Sequence, residues 1–273
     1  TTTGGASNVM SWMEEWLQTE WPKMEVFLTS VTEQWSVISI SGPKSREILK
    51  QVECDINLSN ENFPFMTFKI GTMEGVPVKI FRISFTGELS YEINVASRYG
   101  LFLWEKILNA GNKYGLMPYG TETMHVLRAE KGFIIAGQET DGSVNPYDLG
   151  MSWIVSKKKK DFIGKKSLSI TSLSKNRKQL VGLLTENPNK VLPEGAHAVK
   201  NIKQNPPFQM LGHVTSSYFS PNCNRSIALA LIKNGHSMYG ENLYFPLLNK
   251  EIVSAKIVKP VFFDPKGEKL NGI

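Results

Sequence analysis

The sequence predicts an α+β fold, with helices and mixed or antiparallel sheets over residues 1–175 and a small all-β barrel or roll over 176–273. Two observations predict it. In the first part, strand-like and helical runs follow one another irregularly, and several strand runs lie close enough for hairpins, which disfavours a doubly wound parallel sheet. From Gln179 onward, short β-like runs are separated by Pro, Asn and Gly, with no convincing helix. The polar stretch Ser169 to Lys178 is the expected boundary.

Val9, Trp12, Met13, Trp16 and Leu17 recur at helical spacing, so a helix is expected over Ser7 to Gln18 with Ser7 as its cap. Strands are expected at Glu25 to Thr29 and Trp35 to Ile40. A short helix then opens at Gly42-Pro43 and runs to about Val52. Asn57 to Pro64 reads as loop, and strands follow at Phe68 to Met73 and Val76 to Phe85. Leu101, Trp104, Ile107 and Leu108 mark a helix ended by Gly111 or Gly115. Thr121 or Thr123 is positioned to cap another, running to Lys131 and closed by Gly132.

Composition narrows the function classes. With 41% hydrophobic residues in 273, a substantial core is available. No run approaches the roughly 20 apolar residues of a membrane helix, and no signal sequence opens the chain. Cys54 and Cys223 are isolated, as expected of reduced thiols in a cytoplasmic protein. His125, His197, His213 and His236 follow no ligand spacing, so no metal site is expected. The net charge of +6 favours polyanions in general. Its one dense run, Lys157 to Lys160, reads as a solvated loop without a nucleic-acid motif. The glycines at 71–75 and 115–120 lack the strand–GxGxxG–helix context, so flavin or NAD binding is not supported.

The most informative stretch is Ser84-Phe85-Thr86-Gly87-Glu88-Leu89-Ser90-Tyr91-Glu92-Ile93-Asn94. It reads as two strand runs broken at Thr-Gly, with Glu92 set between Tyr91 and Ile93. A strand can aim such an acid into a pocket, where a carboxylate accepts two parallel hydrogen bonds from the N–C–N edge of a planar heterocycle. The plainer reading is a solvent-facing strand residue.

This stretch resembles the folate-binding signature of the aminomethyltransferase family, the glycine cleavage T-proteins and their relatives. The resemblance continues in order through Leu127 to Phe133, Asn145 to Trp153, Asp161 to Lys165, Gly212 to Ser216, Ser220-Pro221, Ile227 to Ala230 and Phe262 to Pro265. Within the family, Thr1 to Gly5, Glu14 to Pro22 and Thr32 to Trp35 look most like the C-terminal part of sarcosine oxidase alpha subunits. The resemblance implies a three-lobed ring around a folate channel, its last lobe a β-barrel. It implies tetrahydrofolate as cofactor and a one-carbon transfer giving 5,10-methylenetetrahydrofolate. Flavin-containing sarcosine oxidase modules are the implied partners, with flavin and NAD carried elsewhere, and no nucleic acid or membrane.

Carried onto this chain, the resemblance makes Glu92 the pterin ligand, with Tyr91 beside it. Phe85 becomes a wall or stacking ring, Trp153 a channel aromatic, and Thr1, Thr2 and Thr3 the strand end that touches the cofactor. The family's catalytic Asp would lie upstream of Thr1, so no catalytic residue is assigned and the first lobe is expected to lack a strand. Met124 stands where some members carry a folate-reaching Arg; Arg128 is expected to pair structurally with Glu130 or Glu122. Two alternatives remain: a stand-alone aminomethyltransferase, and a non-enzymatic folate-binding adaptor. In the adaptor's thiol motif this chain has Lys131-Gly132-Phe133.

Overall fold

Alternation in Val76-Pro77-Val78-Lys79-Ile80-Phe81-Arg82 places every second side chain on one buried face, and the segment is a strand in the computed structural model. The structure describes residues 1–172, 175–203 and 206–272, which divide into two units. The first comprises Thr1–Ser84, Glu88–Pro118 and Leu270–Ile273; the second comprises Phe85–Gly87 and Tyr119–Lys269.

The first unit begins with helix α1 (Ala6–Thr19), then carries β1 (Trp35–Ser41), α2 (Ser45–Leu49), β2 (Thr67–Met73), β3 (Val76–Arg82), β4 (Ser90–Ala96) and α3 (Gly100–Gly111). The four strands form an antiparallel sheet in the order β1-β4-β3-β2. Ile93 faces Ile38 on one side and Ile80 on the other. Together with Tyr91 and Val95 they bury one sheet face against Ile48 and Leu49 of α2 and Leu103 and Ile107 of α3. Ile93 is fully buried. Ile93→Ala is therefore expected to cost about 2–5 kcal/mol, measurable as a lower urea midpoint.

The second unit carries α4 (Thr121–Glu130), α5 (Lys165–Ser172), β5 (Lys178–Thr185), β6 (His197–Val199), β7 (Met210–Ser220), β8 (Arg225–Lys233), β9 (Asn242–Pro246) and β10 (Ile252–Val258). The six strands close into an antiparallel barrel in the order β10-β5-β8-β7-β6-β9. Its most buried strand is β8. Ala228, Ala230 and Ile232 enter the barrel core, while Ile227, Leu229 and Leu231 pack outward with Ala129 of α4 and Leu149. Burial on both faces explains why β8 is a continuous apolar run rather than an alternating one. Gly132 closes α4 with a left-handed backbone (φ +67°), and a Cβ there would meet the Pro260 carbonyl oxygen at 2.2 Å. Gly132→Ala should thus destabilise the unit through both strain and clash, read as a lower melting temperature.

Several local expectations need correction. Glu25 to Thr29 is not a strand: its residues lack ladder partners and most are exposed, Phe27 at 95%. Ser7 does not cap α1, nor do Thr121 and Thr123 cap α4; the cap positions are Gly5 and Gly120, neither with a side-chain bond. Strand β3 stops at Arg82, so Phe85 lies in a loop rather than in the strand. Within the polar stretch Ser169 to Lys178 the chain is helical up to Ser172, where Leu168 and the carbonyl-bonded Thr171 continue α5; Leu173 and Ser174 lie outside the described residues. No described helix is long and apolar enough to cross a membrane.

Candidate functional site

Strand β4 points successive side chains to opposite faces, so Tyr91 and Glu92 part company. Tyr91 is fully buried in the sheet core, where its hydroxyl accepts from Arg46 Nε (3.1 Å) and donates to the Leu58 carbonyl (3.4 Å). Tyr91, expected to touch the ligand beside Glu92, thus lies on the core face of the sheet rather than on the face of Glu92. Its ring also carries the buried Arg82 guanidinium at 5.7 Å.

Glu92 stands on the second sheet face, opposite Ser39 of β1 and Phe81 of β3. It is half-buried, not solvent-facing. Among the described residues no side chain or backbone N–H donates to its carboxylate, and burial alone pushes its pKa above the ordinary glutamate range. The same face carries Val37 (55% exposed), Phe68 (56%) and Ile70 (69%), with Phe68 stacked on Phe81 at 5.3 Å. A desolvated acid without a donor among the described residues, on a face that mixes Phe81 and Val37 with Ser39, Asn94 and Lys79, is an arrangement that folding energetics alone disfavour. It fits a ligand that brings paired N–H donors.

Of the other candidates, Phe85 is half-buried in the loop before β4. Trp153 sits on a short 3₁₀ turn, Ser152–Ile154, and is 73% exposed. The turn before it is built by the Asn-Pro-x-Asp motif. Asn145 Oδ1 accepts from the backbone of Tyr147 (2.9 Å) and Asp148 (3.2 Å), and Asp148 Oδ2 accepts from the Asn145 N–H (2.9 Å). Thr1, Thr2 and Thr3 are exposed, and Thr3 begins a 3₁₀ turn leading into α1, so they do not form a strand end. Lys157 to Lys160 are all exposed.

The Leu-Arg-x-Glu-Lys-Gly motif proves structural. Arg128 is buried as expected, but its partner is Glu139 (3.0 Å), not Glu130 or Glu122. Its guanidinium also donates to Ser216 Oγ (2.6 Å) and the Phe133 carbonyl (3.1 Å). Glu139 accepts further from Ser216 Oγ (2.5 Å) and the Ile135 N–H (2.7 Å). Glu130 instead accepts from Ser220 Oγ (2.6 Å) and Asn222 Nδ2 (2.7 Å). Both carboxylates therefore tie α4 and its following loop to β7 and the turn after it. The register shift between Val214 and Ser216 accompanies this, with the Thr215 carbonyl accepting from Gln138 Nε2 (2.9 Å). The sequence offers Gly212 to Ser216 and Ser220-Pro221 as motif pieces, but only the fold shows that Ser216 meets Glu139 and Ser220 meets Glu130. Sequence reasoning also missed the buried Arg82, and Lys131 with Asp264.

Residues 1–159 match the family model described as the GCVT N-terminal domain, and 178–264 match the glycine cleavage T-protein C-terminal barrel domain. The chain belongs to the glycine cleavage T-protein family. It is 49% identical over 276 residues to the sarcosine oxidase subunit alpha of Corynebacterium sp. (strain P-1), and covers 28% of that protein. Against the sarcosine oxidase subunit alpha of Rhizobium meliloti (strain 1021) it is 40% identical, again covering 28% of the relative. The aminomethyltransferase of Thermotoga neapolitana is 32% identical, with 91% of this chain and 65% of that one covered. The fold is shared with the glycine cleavage system aminomethyltransferase T from Bartonella henselae, at a TM-score of 0.79 over 97% of this chain and 68% of that one, with 20% identity.

Proposed function

We propose that this chain is a tetrahydrofolate-binding, one-carbon-transfer domain of a sarcosine-oxidase-type alpha subunit, with residues 1–175 forming the folate-binding region and 176–273 the barrel. The observation that carries the reading is Glu92: half-buried, raised in pKa by desolvation, and without a donor among the described residues. When bound, tetrahydrofolate supplies the nucleophilic nitrogen that captures the one-carbon unit released by amine oxidation, giving 5,10-methylenetetrahydrofolate. Glu92 accepts two hydrogen bonds from the amidine-like edge of the pterin and so fixes its orientation. Phe85 and Trp153 provide apolar walls, and Thr1 to Thr3 contact the outer part of the ligand. Tyr91 contributes from the core side, by holding β4 in place. No residue of this chain is assigned the proton-transfer role. The similarity to sarcosine oxidase alpha subunits over the whole chain supports assembly with further subunits, and flavin-bearing modules or subunits are the proposed partners; the two isolated cysteines fit a cytoplasmic setting.

The test is a calorimetric titration with tetrahydrofolate under anaerobic conditions across pH. The carboxylate must be ionised to accept both bonds, and its pKa is raised in the free protein. Affinity should hold at neutral pH and fall as pH drops through that raised value, earlier than an ordinary glutamate would require. Binding that is flat across this range, or absent, contradicts the proposal.

A further inference from the structure

Gly87 sits directly on the side chain of Lys131. Its backbone is left-handed (φ +83°), and a Cβ built there would lie 2.3 Å from Lys131 Cγ and 2.6 Å from Cδ. Only glycine satisfies both conditions. Lys131, at the C-terminal cap of α4, is 7% exposed. Its ammonium donates to the Asp264 carbonyl oxygen (2.5 Å) and to Asp264 Oδ2 (3.0 Å). Asp264 is itself fixed, for its backbone is left-handed (φ +44°) and its carboxylate accepts from the N–H groups of Glu268 (3.0 Å) and Lys269 (3.3 Å). A lysine with its head clamped and its stem covered has lost the rotamer freedom that usually makes it a solvated side chain.

We propose that Lys131 is a positioning residue for the Phe85-Thr86-Gly87 turn. Its aliphatic stem sets the height at which the turn lies, and hence where the Phe85 ring stands, while its ammonium, anchored on Asp264, keeps the stem from swinging away. The inference rests on the reading of Phe85 as a wall of the folate site. The two halves of the side chain have separable duties. Lys131→Met keeps most of the stem and loses the anchor; Lys131→Ala loses both; Gly87→Ala leaves the Lys131–Asp264 pair in place but forces the turn off the stem.

The experiment measures amide hydrogen exchange at residues 85–88 alongside tetrahydrofolate titration. In Lys131→Ala, exchange at 86 and 87 is expected to rise about tenfold while the amides of β4 keep their protection, a local opening that general destabilisation would not produce. Tetrahydrofolate affinity falls in parallel, by about fivefold or more. Lys131→Met recovers most of the protection, and Gly87→Ala weakens binding as Lys131→Ala does. A folded Lys131→Ala with wild-type exchange and affinity overturns the proposal. Should that variant fail to fold, unchanged exchange and binding in Gly87→Ala overturn it equally. If wild type binds no tetrahydrofolate, the folate reading fails, and the exchange data still decide whether Lys131 holds the turn.

Discussion

Replacing Glu92 by Ala is expected to weaken tetrahydrofolate binding by about tenfold to a hundredfold, the loss of roughly 1.5–3 kcal/mol that hydrogen bonds to a charged group contribute. Glu92→Gln should fall nearly as far. An amide keeps one acceptor but turns a donor toward the ligand's own N–H groups, so one bond becomes a repulsion. The diagnostic part lies in stability. The carboxylate is half-buried, raised in pKa by desolvation, and receives no donor among the described residues. Removing it should leave the melting temperature unchanged or raise it, the pattern expected where a binding residue is kept against the interest of folding. Lost affinity together with lost stability would instead mark Glu92 as a structural residue.

The second large effect is expected at Arg128. Its partner Glu139 is fully buried, and removing the guanidinium strands that carboxylate with only Ser216 Oγ and the Ile135 N–H as donors among the described residues. Arg128→Met should cost about 3–5 kcal/mol, read from urea unfolding followed by circular dichroism. The double variant Arg128→Met/Glu139→Leu should recover much of that loss, because the stranded charge goes with its partner. A single variant as stable as wild type would show that the pair contributes nothing to holding α4 on the barrel.

What could be read beforehand follows the reach of each interaction. Periodicity is local, so α1, β1 to β4 and α3 were legible, as was the barrel from its punctuation by turn residues. The closing role of Gly132 was legible too, since a helix end leaves a local signature. The chemistry of Glu92 could be named from residue type and setting, but its half-burial required the sheet. Arg128 shows the limit. The choice among Glu122, Glu130 and Glu139 depends on where β7 delivers Ser216 and Ser220, 88 and 90 residues away from Arg128 and Glu130 respectively. The setting of Tyr91 was hidden for a simpler reason. Adjacent residues on a strand face opposite ways, and a motif read as a string of neighbours conceals that alternation.

The central claim is that the Glu92 carboxylate receives the pterin edge. Determining the structure of the protein with a stable reduced folate bound tests it most directly. The account predicts both carboxylate oxygens at about 2.7–2.9 Å from the paired ring N–H and amino nitrogens. A folate head lodged elsewhere, with Glu92 facing water, would contradict it.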